Sequence, residues 1–153
     1  MGAMVRRIVT GHDAQGRAVF MADETVEEQP LGAVVWSTTV LPADNSGPAE
    51  SGATPAGIAS SGSVVRVMTI EPGHRSPMHR TQTLDFGVVL DGEINLELDD
   101  GAVKSVRAGE VVVQRGTMHA WENITDKPCR IAFVLVAAEP LTIDGQSLAP
   151  THV

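Results

Sequence analysis

From Pro77 to Glu93 the chain reads Pro-Met-His-Arg-Thr-Gln-Thr-Leu-Asp-Phe-Gly-Val-Val-Leu-Asp-Gly-Glu. At the two-residue period of a strand, His79, Thr81, Thr83, Asp85, Gly87 and Val89 fall on one face. A histidine and a carboxylate on one face of an apolar strand need a partner. Further along, Gly116-Thr117-Met118-His119-Ala120-Trp121-Glu122-Asn123 supplies one in His119. Two imidazoles and a carboxylate make a facial set that leaves coordination positions open on a divalent metal. Iron takes such a set in non-haem sites, and zinc takes it with water in the free position. The same three residues also suit a plainer use, as satisfied polar groups near strand ends, with Asp85 bonding backbone amides.

Short strands have to position these groups. Val5 to Thr10 reads as a strand, Gly11 to Gly16 as a turn and Arg17 to Ala22 as the return, which makes an N-terminal hairpin. Asp23 to Pro30 is acidic, ends on a proline and reads as a loop. Gly32 to Leu41 is strongly strand-forming. Pro42 to Gly62 turns to Pro, Ala, Gly, Ser and Asp with no apolar period, and reads as one long flexible loop. Ser63 to Glu71 is the next strand, stopped by Pro72-Gly73. After the central stretch and a turn at Asp91-Gly92 come Glu93 to Leu98, a turn at Asp99-Asp100-Gly101 and Ala102 to Arg107. A turn at Ala108-Gly109 leads to Glu110 to Gln114, then His119 to Asn123 and Arg130 to Ala137. Strands this short and this regularly spaced signal an antiparallel sandwich or barrel. The tail from Leu141 to Val153 is expected to add an edge strand or pack on a neighbour.

Composition narrows the partners. With 153 residues the chain has the length of a single domain. Nineteen acidic against eleven basic side chains leave a net charge of -8, which argues against nucleic acid or an anionic membrane surface. No long apolar run and no signal-peptide pattern are present. The lone Cys129 suits a reducing compartment, so a cytoplasmic location is expected.

The central region resembles the two motifs of the cupin superfamily. The first has the form G-x5-H-x-H-x3,4-E-x6-G, and Gly73, His79, Thr81, Asp85 and Gly92 stand at its spacing. The second has the form G-x5-P-x-G-x2-H-x3-N. Gly109, Gln114, Gly116, His119 and Asn123 follow it, with one residue fewer after Gly109. The likeness runs from about Ser63 to Val136. It implies an all-β fold, an antiparallel jelly-roll-like β-barrel with few or no helices, as one cupin domain over 1–153. Within it, 5–41 forms the hairpin and following strand, 42–62 the loop, 63–137 the core and 141–153 the tail. Thr81 stands where the family usually has its second histidine, Asp85 replaces the glutamate and Gln114 the proline. The ligand set that the resemblance implies is thereby reduced to His79, Asp85 and His119. These either hold one divalent transition metal (iron, manganese, nickel or zinc) or belong to a pocket that has lost it.

The remaining candidates surround that set. His74 is either a replacement ligand or proton carrier at the pocket mouth, or an exposed turn residue. Thr83 is a second candidate for moving protons. Thr81, Trp121, Arg115, Met118 and Phe133 are expected to line a substrate pocket. Trp121 either stacks a flat ligand or fills the barrel. Arg115 either neutralises an anionic substrate at the rim or is solvated. Arg80 and Gln82 alternate to the opposite face, and His12 and His152 read as surface residues. The resemblance implies a metal-dependent enzyme acting on a modest organic substrate, aromatic or polyketide-like, by dioxygenation, isomerisation, dehydration or cyclisation. The alternative is a non-catalytic barrel that binds a small molecule. It also implies a homodimer built through the hairpin and the Trp36 strand.

Overall fold

The computed structural model describes residues 2–52 and 61–151. Of the loop expected over 42–62, residues 53–60 lie outside the described residues, as do Met1, His152 and Val153. The strands in chain order are β1 (Met4–His12), β2 (Ala18–Glu27), β3 (Ala33–Thr38), β4 (Ser63–Ile70), β5 (Thr83–Asp91) and β6 (Glu93–Glu97). Then follow β7 (Val103–Arg107), β8 (Val111–Arg115), β9 (Ala120–Glu122), β10 (Cys129–Ala137), β11 (Thr142–Ile143) and β12 (Gln146–Ser147). Among the described residues the one helical piece is a short 3-10 turn at Asp99–Gly101. The protein is all-β, as the regular spacing of strands and turns predicts. No helix among the described residues is long and apolar enough to cross a membrane.

A five-stranded sheet in the order β3-β4-β10-β5-β8 and a three-stranded sheet in the order β7-β6-β9 carry the jelly-roll. Every neighbouring pair is antiparallel. β10 lies between β4 and β5, and its Cys129, Ile131 and Leu135 are buried while Arg130, Ala132, Val134 and Val136 are half-buried on the other face. Ile70, Val89, Ile94, Val106, Trp121, Cys129 and Ile131 form one apolar cluster drawn from both sheets. Fully burying a side chain of this kind is worth roughly 1.5–3 kcal/mol.

The consecutive strands β5 and β6 do not pair with each other. Gly92, the one residue between them, has φ +82°, and a Cβ there would come 2.7 Å from the Pro128 carbonyl oxygen. Only glycine tolerates both the positive φ and that approach. The Asp91-Gly92 turn is therefore a corner where the chain leaves one sheet for the other. That crossing sets β6 beside β9.

Three elements differ from the expectation. β2 runs on through the acidic stretch to Glu27. Arg6 grips Asp23 with two hydrogen bonds, at 2.8 and 2.6 Å, and Arg7 pairs with Glu24, so charges that look loop-forming in isolation are neutralised across the hairpin. β5 starts only at Thr83, and His79 pairs with His119 in an isolated bridge ahead of it. The tail folds into the β11–β12 hairpin and then returns to its own chain, where Thr151 exchanges backbone hydrogen bonds with Arg80 at 3.0 and 3.2 Å.

Candidate functional site

The site is assembled from the backbone outwards. His79 and His119 each donate their backbone N–H to the other's carbonyl oxygen at 3.0 Å. This pairing sets the two rings side by side, with centroids 4.2 Å apart and planes tilted by 55°. Each ring donates from Nδ1 to the carbonyl two residues earlier, His79 to Pro77 and His119 to Thr117, both at 2.8 Å. A carbonyl oxygen only accepts, so Nδ1 carries a proton in both histidines, and in the neutral ring Nε2 is then the basic nitrogen.

Alternation along β5 turns Thr83 and Asp85 inward, and the antiparallel register sets Asp85 directly opposite Gln114 on β8. The Thr83 hydroxyl donates to Asp85 Oδ1 at 2.5 Å. Its proton is thus committed, so the Thr81 hydroxyl, 2.7 Å away, donates to Thr83. The Gln114 amide nitrogen donates to Asp85 Oδ2 at 2.8 Å and to His119 Nε2 at 3.1 Å. The reversed amide would set a carbonyl oxygen against a carboxylate and a bare imidazole nitrogen, three acceptors with no proton between them. All five side chains of this network are buried.

Burial lowers the pKa of His119 and is the largest influence on it. The bond to the Thr117 carbonyl opposes the shift, the neighbouring His79 adds to it and the Asp85 charge again opposes it. The imidazole is held toward its neutral form. Arg66, inward on β4 and also buried, has its pKa lowered by burial while the Asp85 charge pulls it back up. One of its terminal nitrogens donates to the Leu31 carbonyl at 3.3 Å. An arginine remains protonated through such a shift, so a guanidinium and a carboxylate share the interior.

These groups form the polar end of a cavity of about 480 Å3. His74, His79, Thr81, Asp85, Gln114, His119 and Arg66 line it together with Met68, Ile70, Trp121, Phe133 and Leu135. Trp121 meets Phe133 edge-on, with centroids 5.5 Å apart, and the far edge of its indole lies over Gly87. A cavity of this size, largely apolar with a few convergent polar groups, suits a small organic molecule.

Most of the residues singled out in the sequence meet here. His74, His79, Thr81, Asp85, His119, Trp121 and Phe133 line the one cavity. Thr83 stands behind Thr81 and reaches the site through Asp85. Arg115 and Met118 do not line it. Arg115 follows the inward Gln114 and so turns outward, exposed beside a separate cleft with Arg80 and Gln82. Met118 precedes His119 and meets the tail, where the Thr151 hydroxyl donates to its sulfur at 3.2 Å. Three polar lining residues, Arg66, Ser76 and Gln114, are not among the pocket residues expected from the sequence. Arg66 breaks the apolar run Val64-Val65-Arg66-Val67, and Gln114 ends the run Val111-Val112-Val113. For Arg66 and Gln114 the signal is a polar residue inside a strand otherwise built for burial; Ser76, in the loop before Pro77, carries no such signal.

His79, Asp85 and His119 do not converge on one point. The Gln114 amide nitrogen stands between Asp85 and His119 and is bonded to both. Among the described residues, no three His, Cys, Asp or Glu side chains come together to hold a metal ion. An amide NH2 has hydrogens to give and no lone pair for a cation. As arranged, the donor set does not fit the facial metal site expected from the sequence.

The profile of the cupin domain matches residues 66–136. Phomopsin biosynthesis cluster protein C' of Diaporthe leptostromiformis is 39% identical over 157 residues, covering 93% of this chain and 83% of that protein. The cupin-domain-containing oxidoreductase fogC of Aspergillus ruber is 33% identical over 158 residues, covering 94% of this chain and 78% of that protein. Among solved structures, a Cupin 2 conserved barrel domain protein from Salinispora arenicola aligns with a TM-score of 0.47 at 24% identity, over 56% of this chain and 71% of that one.

Proposed function

This chain belongs to the cupin family, and from that premise we propose that it is an enzyme that moves a proton on a small, largely apolar organic substrate. The observation that carries the reading is the His79 imidazole. It lines the cavity with its ring proton tied to the Pro77 carbonyl, which leaves Nε2 as a bare base. His119 is held in the same tautomer, but its Nε2 is taken by Gln114, so it positions its neighbour and does not itself accept the proton. Abstraction beside a substrate carbonyl would build negative charge on oxygen, and the buried Arg66 guanidinium supplies the opposing charge. The exposed His74 at the cavity wall is placed to exchange the proton with water.

Isomerisation, dehydration and cyclisation all need such a step, and an aromatic or polyketide-like ketone fits the Trp121 and Phe133 wall. The names of the relatives, which mention oxidoreductases and biosynthesis clusters, support an enzyme that makes or modifies small organic products. A metal-dependent form of this chemistry, using His79, Asp85 and His119, requires the Gln114 amide to give up both of its bonds.

The test is solvent-deuterium exchange into a panel of aromatic and polyketide-like ketones, followed by mass spectrometry. Exchange is expected with the wild type and a loss of roughly 100-fold or more with His79→Gln, the range for losing a general base. Ligand binding without exchange, or exchange indifferent to His79→Gln, would identify a binding barrel.

We also propose a homodimer. Phe20 on the hairpin is 79% exposed, and Val111 and Val113 on the edge strand β8 are 56% exposed, apolar side chains that a second copy would cover. A cytoplasmic setting completes the proposal. The one cysteine, Cys129, is buried with its thiol pKa pushed up to about 11, chiefly by burial, so it stays reduced and inert.

A further inference from the structure

We infer that the Gln114 amide occupies, with its two N–H bonds, the position a divalent cation would hold between Asp85 and His119, so that this pocket takes up no transition metal through them. The inference goes beyond proton transfer and stands independently of it. An NH2 group has two hydrogens, and both are committed, one to Asp85 Oδ2 at 2.8 Å and one to His119 Nε2 at 3.1 Å. The other Asp85 oxygen is committed to Thr83, which is backed by Thr81. A metal would have to displace the amide from both acceptors at once.

Two further observations agree. Gln114 Oε1 is buried with no hydrogen-bond partner among the described residues. An orphaned carbonyl is costly, and the amide keeps this orientation because the reverse one would be worse, which makes the double donation specific. Charge points the same way. Asp85 already has the Arg66 guanidinium as a buried counter-charge, so a dication added beside it would be left in excess within a poorly solvated interior.

The test uses the full chain purified without a metal-affinity tag. It is titrated with Zn(II), Mn(II), Ni(II) and, under anaerobic conditions, Fe(II), and the stoichiometry is read by calorimetry and elemental analysis. No uptake at this site is expected for the wild type. Gln114→Glu exchanges the amide for a third ligand beside Asp85 and His119. It is expected to bind one metal per chain, and to lose it when His119→Ala is added. One metal per wild-type chain that disappears in His119→Ala overturns the inference, and so does a folded Gln114→Glu protein that binds none. Should Gln114→Glu fail to fold, the side-chain amide signal of Gln114 in the wild-type nitrogen-15 spectrum decides. The signal is expected to be unchanged by one equivalent of paramagnetic Mn(II), and selective broadening of it refutes the assignment.

Discussion

Replacing Asp85 with asparagine tests the buried network at its centre. The carboxylate accepts from the Thr83 hydroxyl at 2.5 Å and from the Gln114 amide at 2.8 Å. Hydrogen bonds to a charged group contribute about 1.5–3 kcal/mol each, against about 1 kcal/mol for neutral ones. Asparagine keeps one acceptor, which Gln114 retains. Its NH2 then faces Thr83, whose hydroxyl turns to donate to Thr81. The shape survives this rearrangement, and the loss is the charge. Converting two charge-assisted bonds to neutral ones costs roughly 2 kcal/mol. Taking the counter-charge from the buried Arg66 adds a further ~1 kcal/mol, well below the 3–5 kcal/mol for breaking a contacting buried pair, since Leu31 still holds the guanidinium. The total is about 3 kcal/mol, which for a chain of 153 residues lowers the melting temperature by roughly 6–12 °C. Calorimetry and urea denaturation followed by two probes measure it. In an Arg66→Met background the penalty of Asp85→Asn is expected to shrink by about 1 kcal/mol, the signature of coupled neighbours. An Asp85→Asn protein within about 0.5 kcal/mol of the wild type, or an undiminished penalty in that background, would refute the reasoning.

Two further outcomes follow from the same geometry. The folded protein holds the pKa of His119 below its ordinary value of 6.5, chiefly by burial. The unfolded chain therefore binds the extra proton first, and the contribution of His119 is complete above pH 6.5 and lost as pH falls below it, by up to about 1.4 kcal/mol per pH unit. Urea denaturation at pH 7.5 and 5.5 should show the wild type losing more stability than His119→Asn on acidification, and equal losses would sink the idea. For assembly, light scattering is expected to give about twice the 16.1 kDa chain mass, with Phe20→Ser shifting the population toward single chains. A wild-type monomer would refute the dimer.

Sequence alone determined what depends on near neighbours. The period of two across His79, Thr81, Thr83 and Asp85 and the turn residues at Pro72-Gly73 and Asp99-Asp100-Gly101 were enough for an all-β chain, and the spacing of His119 from Gly116 and Asn123 for its resemblance to the cupins. These are short-range properties, because side-chain alternation and turn chemistry act over a few residues. Tertiary structure decided who meets whom. The acidic stretch after Ala22 is a strand because Arg6 and Arg7 lie across from it. Asp91-Gly92 is a corner because the Pro128 carbonyl leaves no room for a side chain. The three candidate ligands share no common point because the β5–β8 register sets Gln114 opposite Asp85, where its amide stands between Asp85 and His119. Alternation states which face a residue takes, but only the pairing of distant strands states what stands opposite it, and here that was an amide.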